Sequence, residues 1–132
     1  MDATFLAKIK SDYKEFRFVS GKRFSFRPPQ TIVVGPEEDG DSLLLLHELG
    51  HAISSHRDFD TGVRRLKMER EAWDKAQELC SLYGVEYDAE LVETELDTYR
   101  DWLHKKSRCP KCGLTRFQSP DGVYHCPKCE NF

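Results

Sequence analysis

Leu43-Leu44-Leu45-Leu46-His47-Glu48-Leu49-Gly50-His51-Ala52 is the stretch from which the rest of this chain is read. An apolar run leads directly into a His-Glu-x-x-His pattern. The spacing predicts a helix over residues 42–56. Residues four apart share one face of a helix, one turn from each other, so His47 and His51 point the same way. Two imidazoles so placed can each give one ring nitrogen to a single Zn²⁺, and Glu48 beside the first reaches a water next to the ion. Zinc lowers the pKa of such a water to about 7, where a carboxylate can take its proton. The pattern therefore points to metal-assisted amide hydrolysis, with Glu48 as the general base. Gly50 permits a close backbone approach on the same helix.

A catalytic zinc needs a third protein ligand and one open position. The spacing that would supply a third histidine puts Arg57 there, with Ser54 where a glycine is required. The better candidate is Glu69, 18 residues after His51 on the next long helix, in Glu69-Arg70-Glu71-Ala72. Ala72 and Ala76 are small residues on its side of that helix, so the two helices can approach closely. Glu71 leaves the helix about 160° away and is the second choice.

These residues resemble the gluzincin peptidases, in particular the ImmA/IrrE-type metallopeptidases and the single-domain minigluzincins. The likeness covers about residues 30–83. It implies a zincin-like fold, with His47, His51 and Glu69 as ligands of a catalytic zinc and Glu48 as base. It also implies a small sheet beside the active-site helix, whose edge strand pairs with extended substrate; Thr31–Val34 or the strand before it would be that edge. The chain departs from the family at one position. An Asp or Asn that orients a ligand imidazole there is Trp73 here, with Asp74 one step on. Asp58 or Asp60 are the substitutes available in sequence. His56, Tyr83 and Tyr87 are the candidates for stabilising an oxyanion, although His56 also reads as an exposed histidine at a helix end.

Outward from the motif, the expected class is α+β. Residues 2–14 read as a short helix, with Phe5, Ile9 and Tyr13 at four-residue steps. Residues 15–20 and 23–27 alternate apolar and polar around Gly21-Lys22 and read as a hairpin. Pro28-Pro29 ends it, and Thr31 to Val34 reads as a further strand. Residues 35–41 are an acidic turn that caps the motif helix. Helices follow over about 62–83, stopped by Gly84, and over about 88–106. On the latter, Val92, Leu96, Tyr99 and Leu103 form a stripe expected to be core. Lone Cys80 reads as a small buried apolar residue. Residues 1–107 are thus expected to form the zincin-like domain.

Residues 108–132 read as a separate zinc ribbon. Cys109-Pro-Lys-Cys112 and Cys126-Pro-Lys-Cys129 supply four thiolates, a closed tetrahedral set expected to hold a structural zinc. Gly113 suits the turn after the first pair, and a Pro120-Asp121-Gly122 turn can reverse a short hairpin between the pairs. His125 is a poorer ligand than its neighbour Cys126.

The 132 residues carry a formal net charge of −3, divided unevenly. Residues 104–132 hold six Lys/Arg against two acids, and the other 103 residues hold 14 against 21. The basic ribbon, with Phe117 and Tyr124, offers a contact for nucleic acid or for a protein partner. The longest purely apolar run is four residues, which excludes a membrane span, and the start of the chain lacks the pattern of a signal peptide; a cytoplasmic protein is expected. The leading expectation is a zinc metalloendopeptidase acting on peptide or protein substrates. The alternative is a regulatory or binding protein, using the ribbon, on an inactive or autoinhibited zincin scaffold.

Overall fold

The only four-residue run in the chain that is β-branched throughout, Thr31-Ile32-Val33-Val34, takes the middle of its sheet. The computed structural model describes residues 3–36, 41–57 and 62–130, and its architecture is α+β. Helix α1 (Ala3–Asp12) precedes strands β1 (Arg17–Ser20), β2 (Ser25–Arg27) and β3 (Thr31–Val34). Helices α2 (Asp41–Ile53), α3 (Gly62–Tyr83) and α4 (Ala89–Ser107) follow, then the short strands β4 (Phe117–Gln118) and β5 (Tyr124–His125).

The hairpin expected of residues 15–27 does not form. The strand order is β1-β3-β2, with β1 parallel and β2 antiparallel to β3. The reason lies in β3, where consecutive Ile32 and Val33 are both buried and so cover both faces. A strand apolar on both faces belongs in the centre, while β1 and β2 bury neither face fully. The Gly21 amide donates to the Val34 carbonyl at 3.0 Å, which ties the chain leaving β1 to the end of β3. The tight reversal comes later, between β2 and β3, and contains a cis Pro28–Pro29 peptide. Thr31–Val34 is therefore not a sheet edge. The edge that lies beside α2 is β2.

Helix α2 is apolar nearly all round, and Leu43, Leu45, Leu46, Leu49 and Ala52 are buried, which makes it the central helix. It stops at Ile53, three residues short of the expected end. Ser55 adopts the left-handed conformation (φ 57°) that usually terminates a helix. The Ser55 amide then donates to Ala52 O, and the His56 amide to His51 O, each at 3.1 Å. Against α2 lies α3, through fully buried Ala72 and Ala76. At Gly50 the two backbones touch: a Cβ there would stand 2.5 Å from the Ala72 carbonyl oxygen. Gly84, at φ 69°, ends α3 as expected. Asp88 caps α4, accepting from the Glu90 and Leu91 amides.

The stripe on α4 is only half core. Val92 and Leu96 are buried with α2 and α3, but Tyr99 turns to a groove described below. Cys80 is buried in the core. Beyond α4, β4 and β5 pair as Phe117↔His125 and Gln118↔Tyr124. The Arg116 amide donates to Ser107 O and its guanidinium to Lys106 O, which fastens this hairpin to the end of α4. Among the described residues no helix is long and apolar enough to cross a membrane.

Gly50→Ala tests the helix contact. The obstructing atom is backbone and cannot swing aside, so the helices must separate. The expected loss is about 1–3 kcal/mol of stability, read from urea denaturation. Unchanged stability would mean that the helices are not in contact at this point.

Candidate metal centres

The contact at Gly50 sets three buried side chains together. Glu69 leaves α3 on the same side as Ala72 and Ala76, facing the two histidines of α2. Its Oε2 lies 2.9 Å from His47 Nε2 and 3.0 Å from His51 Nε2. The three ligand atoms are mutually within 4.8 Å and could hold a metal ion. Tetrahedral ligands bonded at about 2.0–2.1 Å stand roughly 3.3 Å apart, so an ion would lengthen these two separations only slightly. The protonation states also fit. Burial lowers the His47 pKa, which leaves a free lone pair. Burial alone would raise Glu69, but the hydrogen bonds and charge of His47 and His51 outweigh it and hold the carboxyl below its ordinary range. Neutral imidazole and ionised carboxylate are the forms a metal requires.

Each of the two histidine rings has an aromatic neighbour against it, Trp73 on His47 and His56 on His51. Trp73 is buried and stacks on His47, with centroids 3.9 Å apart and planes 17° from parallel. Where the resembled family has a carboxylate, this chain thus has an aromatic face. Asp74 is exposed and pairs with Arg70; Asp58 and Asp60 lie outside the described residues. His56 is not an exposed helix-end histidine: it is buried, with Nδ1 2.9 Å from His51 Nδ1. Its Nε2 lies 2.9 Å from Glu71 Oε2. Glu71 does leave α3 away from Glu69, but it holds His56 and is not simply a solvated charge. The signal for His56 was its position just past the end of α2, where a turning chain packs a side chain back on the last turn.

In front of these three side chains lies a groove formed by two adjoining cavities of about 430 and 330 Å³. Glu48, Phe24 and Tyr99 line both. Glu48 Oε1 is 4.0 Å from His47 Nε2. Burial, then the negative charge of Glu69 and Glu95, pushes the Glu48 pKa up to about 8, and Arg65 opposes this. A divalent cation would act in the same sense as Arg65 and favour the carboxylate. Tyr99 is pushed up to about 12, first by burial and then by Glu69. Its ring carries the Arg65 guanidinium 5.3 Å from the centroid. Tyr99 and Arg65 are thus donors that line the groove beside Glu69, with Lys22, Arg23 and Ser25 also along its walls; the sequence placed Tyr99 in the core and did not mark Arg65. Two signals were available. Arg65 lies four residues before Glu69, on the same helix face, and Tyr99 is the one hydroxyl in an otherwise aliphatic stripe. Tyr83 instead donates to Asp12 at 2.7 Å, and Tyr87 packs against the core; neither lines the two cavities.

The second cluster is Cys109, Cys112, Cys126 and Cys129, with all four sulfurs within 4.8 Å of one another. Two of the separations are 3.6 Å (Cys112 to Cys126) and 3.9 Å (Cys109 to Cys129). Four tetrahedral sulfurs bonded to zinc at about 2.3 Å would stand about 3.8 Å apart, which these two separations match. The Cys112 and Lys111 amides face Cys109 and lower its pKa to about 6, toward the thiolate that metals bind. Gly113, at φ 76°, makes the turn. His125 is engaged elsewhere, by Glu130 at 2.8 Å and Ser119 at 3.2 Å.

No family model, no curated protein and no solved structure matches this chain.

Two metal ions per chain are expected, by elemental mass spectrometry of protein purified without added zinc. Glu69→Ala should lose one ion and keep the other, because it removes one of three ligands from one cluster only. Retention of both ions in a folded Glu69→Ala variant would remove Glu69 from the set.

Proposed function

We propose that the chain is a zinc-dependent peptidase with His47, His51 and Glu69 as the catalytic zinc ligands and Glu48 as the general base. The observation that carries this reading is the buried convergence of His47, His51 and Glu69 at the floor of a groove that Glu48 also lines. The donor set leaves one side of the site facing that groove. When bound there, zinc supplies Lewis acidity, polarising an amide carbonyl and lowering the pKa of a nearby water. Glu48 takes the proton from that water and then delivers it to the departing amine. Tyr99 and Arg65 donate to the carbonyl oxygen as negative charge grows on it. The β2 edge gives an extended substrate backbone a pairing partner, since Phe24, Ser25 and Phe26 line the groove. The cysteine cluster, with four sulfurs and no open position, holds a second, structural zinc.

A second reading is a binding role for the ribbon. It is favoured by the exposure of Leu114, Phe117 and Val123 there, beside basic residues. In that case the chain's biological activity would survive loss of Glu48.

Glu48→Gln keeps the shape of the side chain but cannot accept a proton. It should retain both zinc ions and lose peptide hydrolysis by about 10²–10⁴-fold in kcat. Undiminished turnover would rule out the base assignment. Tyr99→Phe removes one hydroxyl and should lower kcat by about 10²–10³-fold with little change in KM. A change confined to KM would assign Tyr99 to substrate binding and not to the oxyanion.

A further inference from the structure

Two carboxylates of α3 reach the histidines of α2 by different routes. Glu69 meets His51 Nε2 directly at 3.0 Å. Glu71, two residues on, reaches the other nitrogen of the same ring through His56: His51 Nδ1 to His56 Nδ1 is 2.9 Å, and His56 Nε2 to Glu71 Oε2 is 2.9 Å. His56 is brought there by the backbone. The left-handed Ser55 turns the chain back, and the His56 amide bonds to the carbonyl of His51 itself. A buried imidazole thus bridges a candidate ligand and a half-exposed carboxylate.

The tautomers along this line follow from one requirement. A metal on His51 Nε2 needs the lone pair there, so the ring proton sits on Nδ1. That N–H can donate to His56 Nδ1 only if His56 Nδ1 carries the lone pair. His56 then carries its own proton on Nε2, which donates to the Glu71 carboxylate. One tautomer of each ring satisfies every link, with a full negative charge at the far end. Such a line fixes the ring plane and makes the ligand nitrogen a stronger donor.

We propose that His56 and Glu71 are positioning residues for the metal site, an orienting relay in which Glu71 acts on His51 through His56. This rests on the reading of His47, His51 and Glu69 as metal ligands. The relay would do for His51 what Trp73 does for His47 by stacking.

The test is zinc retention by the full chain under graded chelator, followed by native mass spectrometry, which resolves chains with two, one or no zinc. The cysteine zinc serves as the internal control. Glu71→Ala should weaken the histidine-site zinc by about 10–100-fold and leave the cysteine site unchanged. Glu71→Gln, whose amide oxygen still accepts from His56 but carries no charge, should recover only part of the loss; full recovery by this isosteric variant would assign Glu71 to packing and overturn the relay. His56→Ala should weaken the site at least as much. The double variant should be no worse than His56→Ala alone, because groups acting in series are not additive. If His56→Ala does not fold, the Ala and Gln variants at half-exposed Glu71 decide alone. Wild-type affinity in Glu71→Ala would overturn the relay while leaving the metal site standing. A wild-type chain that retains only the cysteine zinc would overturn both.

Discussion

Everything at the candidate site depends on how closely α2 and α3 approach. Gly50 and Ala72 let the two backbones touch, and the cavities, ligands and supports are all referred to that contact. Packed helices ordinarily lie 8–10 Å apart at their axes, and a glycine facing an alanine brings a pair to the close end of that range. With the glycine against the alanine, a glutamate side chain spans the gap and sets one oxygen between His47 and His51. Ala76, one turn further, is also fully buried, and Trp73 between the two alanines lies nearly flat on His47.

The same closeness concentrates charge. Glu48, Glu69 and Glu95 influence one another in a largely buried space, with Arg65 as the nearby cation acting on Glu48. Burying carboxylates together is unfavourable unless something positive shares the space. The two imidazoles do part of this for Glu69, while burial and its acidic neighbours push Glu48 toward its protonated form. A divalent ion at the three ligands would relieve both. The arrangement is easier to understand as a site shaped around a cation than as a core that happens to contain acids, and this supports the proposed zinc chemistry more than the motif alone does.

How much of this could be read from the sequence depended on whether the signal was local. The helix of HELGH, the stop at Gly84 and the pairing of the two Cys-x-x-Cys units follow from residues a few positions apart. The close pairing of Glu69 with the histidines was also legible, because Gly50, Ala72 and Ala76 mark both sides of a tight contact. The β order was not: β1 and β2 alternate like a hairpin, and only the two-faced burial of Ile32 and Val33 shows that β3 must lie between them. His56 was misread for a similar reason. A histidine after a helix end is ordinarily solvated, and its burial here depends on a left-handed serine and on Glu71 arriving from another helix. Tyr99 looked like core because periodicity reports which face is turned inward, not whether that face meets side chains or a groove.

Helix α4 joins the two candidate metal centres mechanically. Its first half is locked into the core by Val92 and Leu96. Its middle presents Glu95 and Tyr99 to the groove. Its last turn is gripped by the cysteine module, through Arg116 on the carbonyls of Lys106 and Ser107. Lys106 lies over the rings of both Trp102 and Tyr124, at 4.8 and 5.7 Å, so side chains of the helix and the module share that grip. Tyr99 is seven residues before Lys106, two turns or about 10 Å along one helix. A helix held at both ends cannot rotate in between, so the hydroxyl of Tyr99 is fixed by contacts on either side of it. The hairpin that leads to two of the four clustered sulfurs is thus anchored to the end of the helix that forms one wall of the groove.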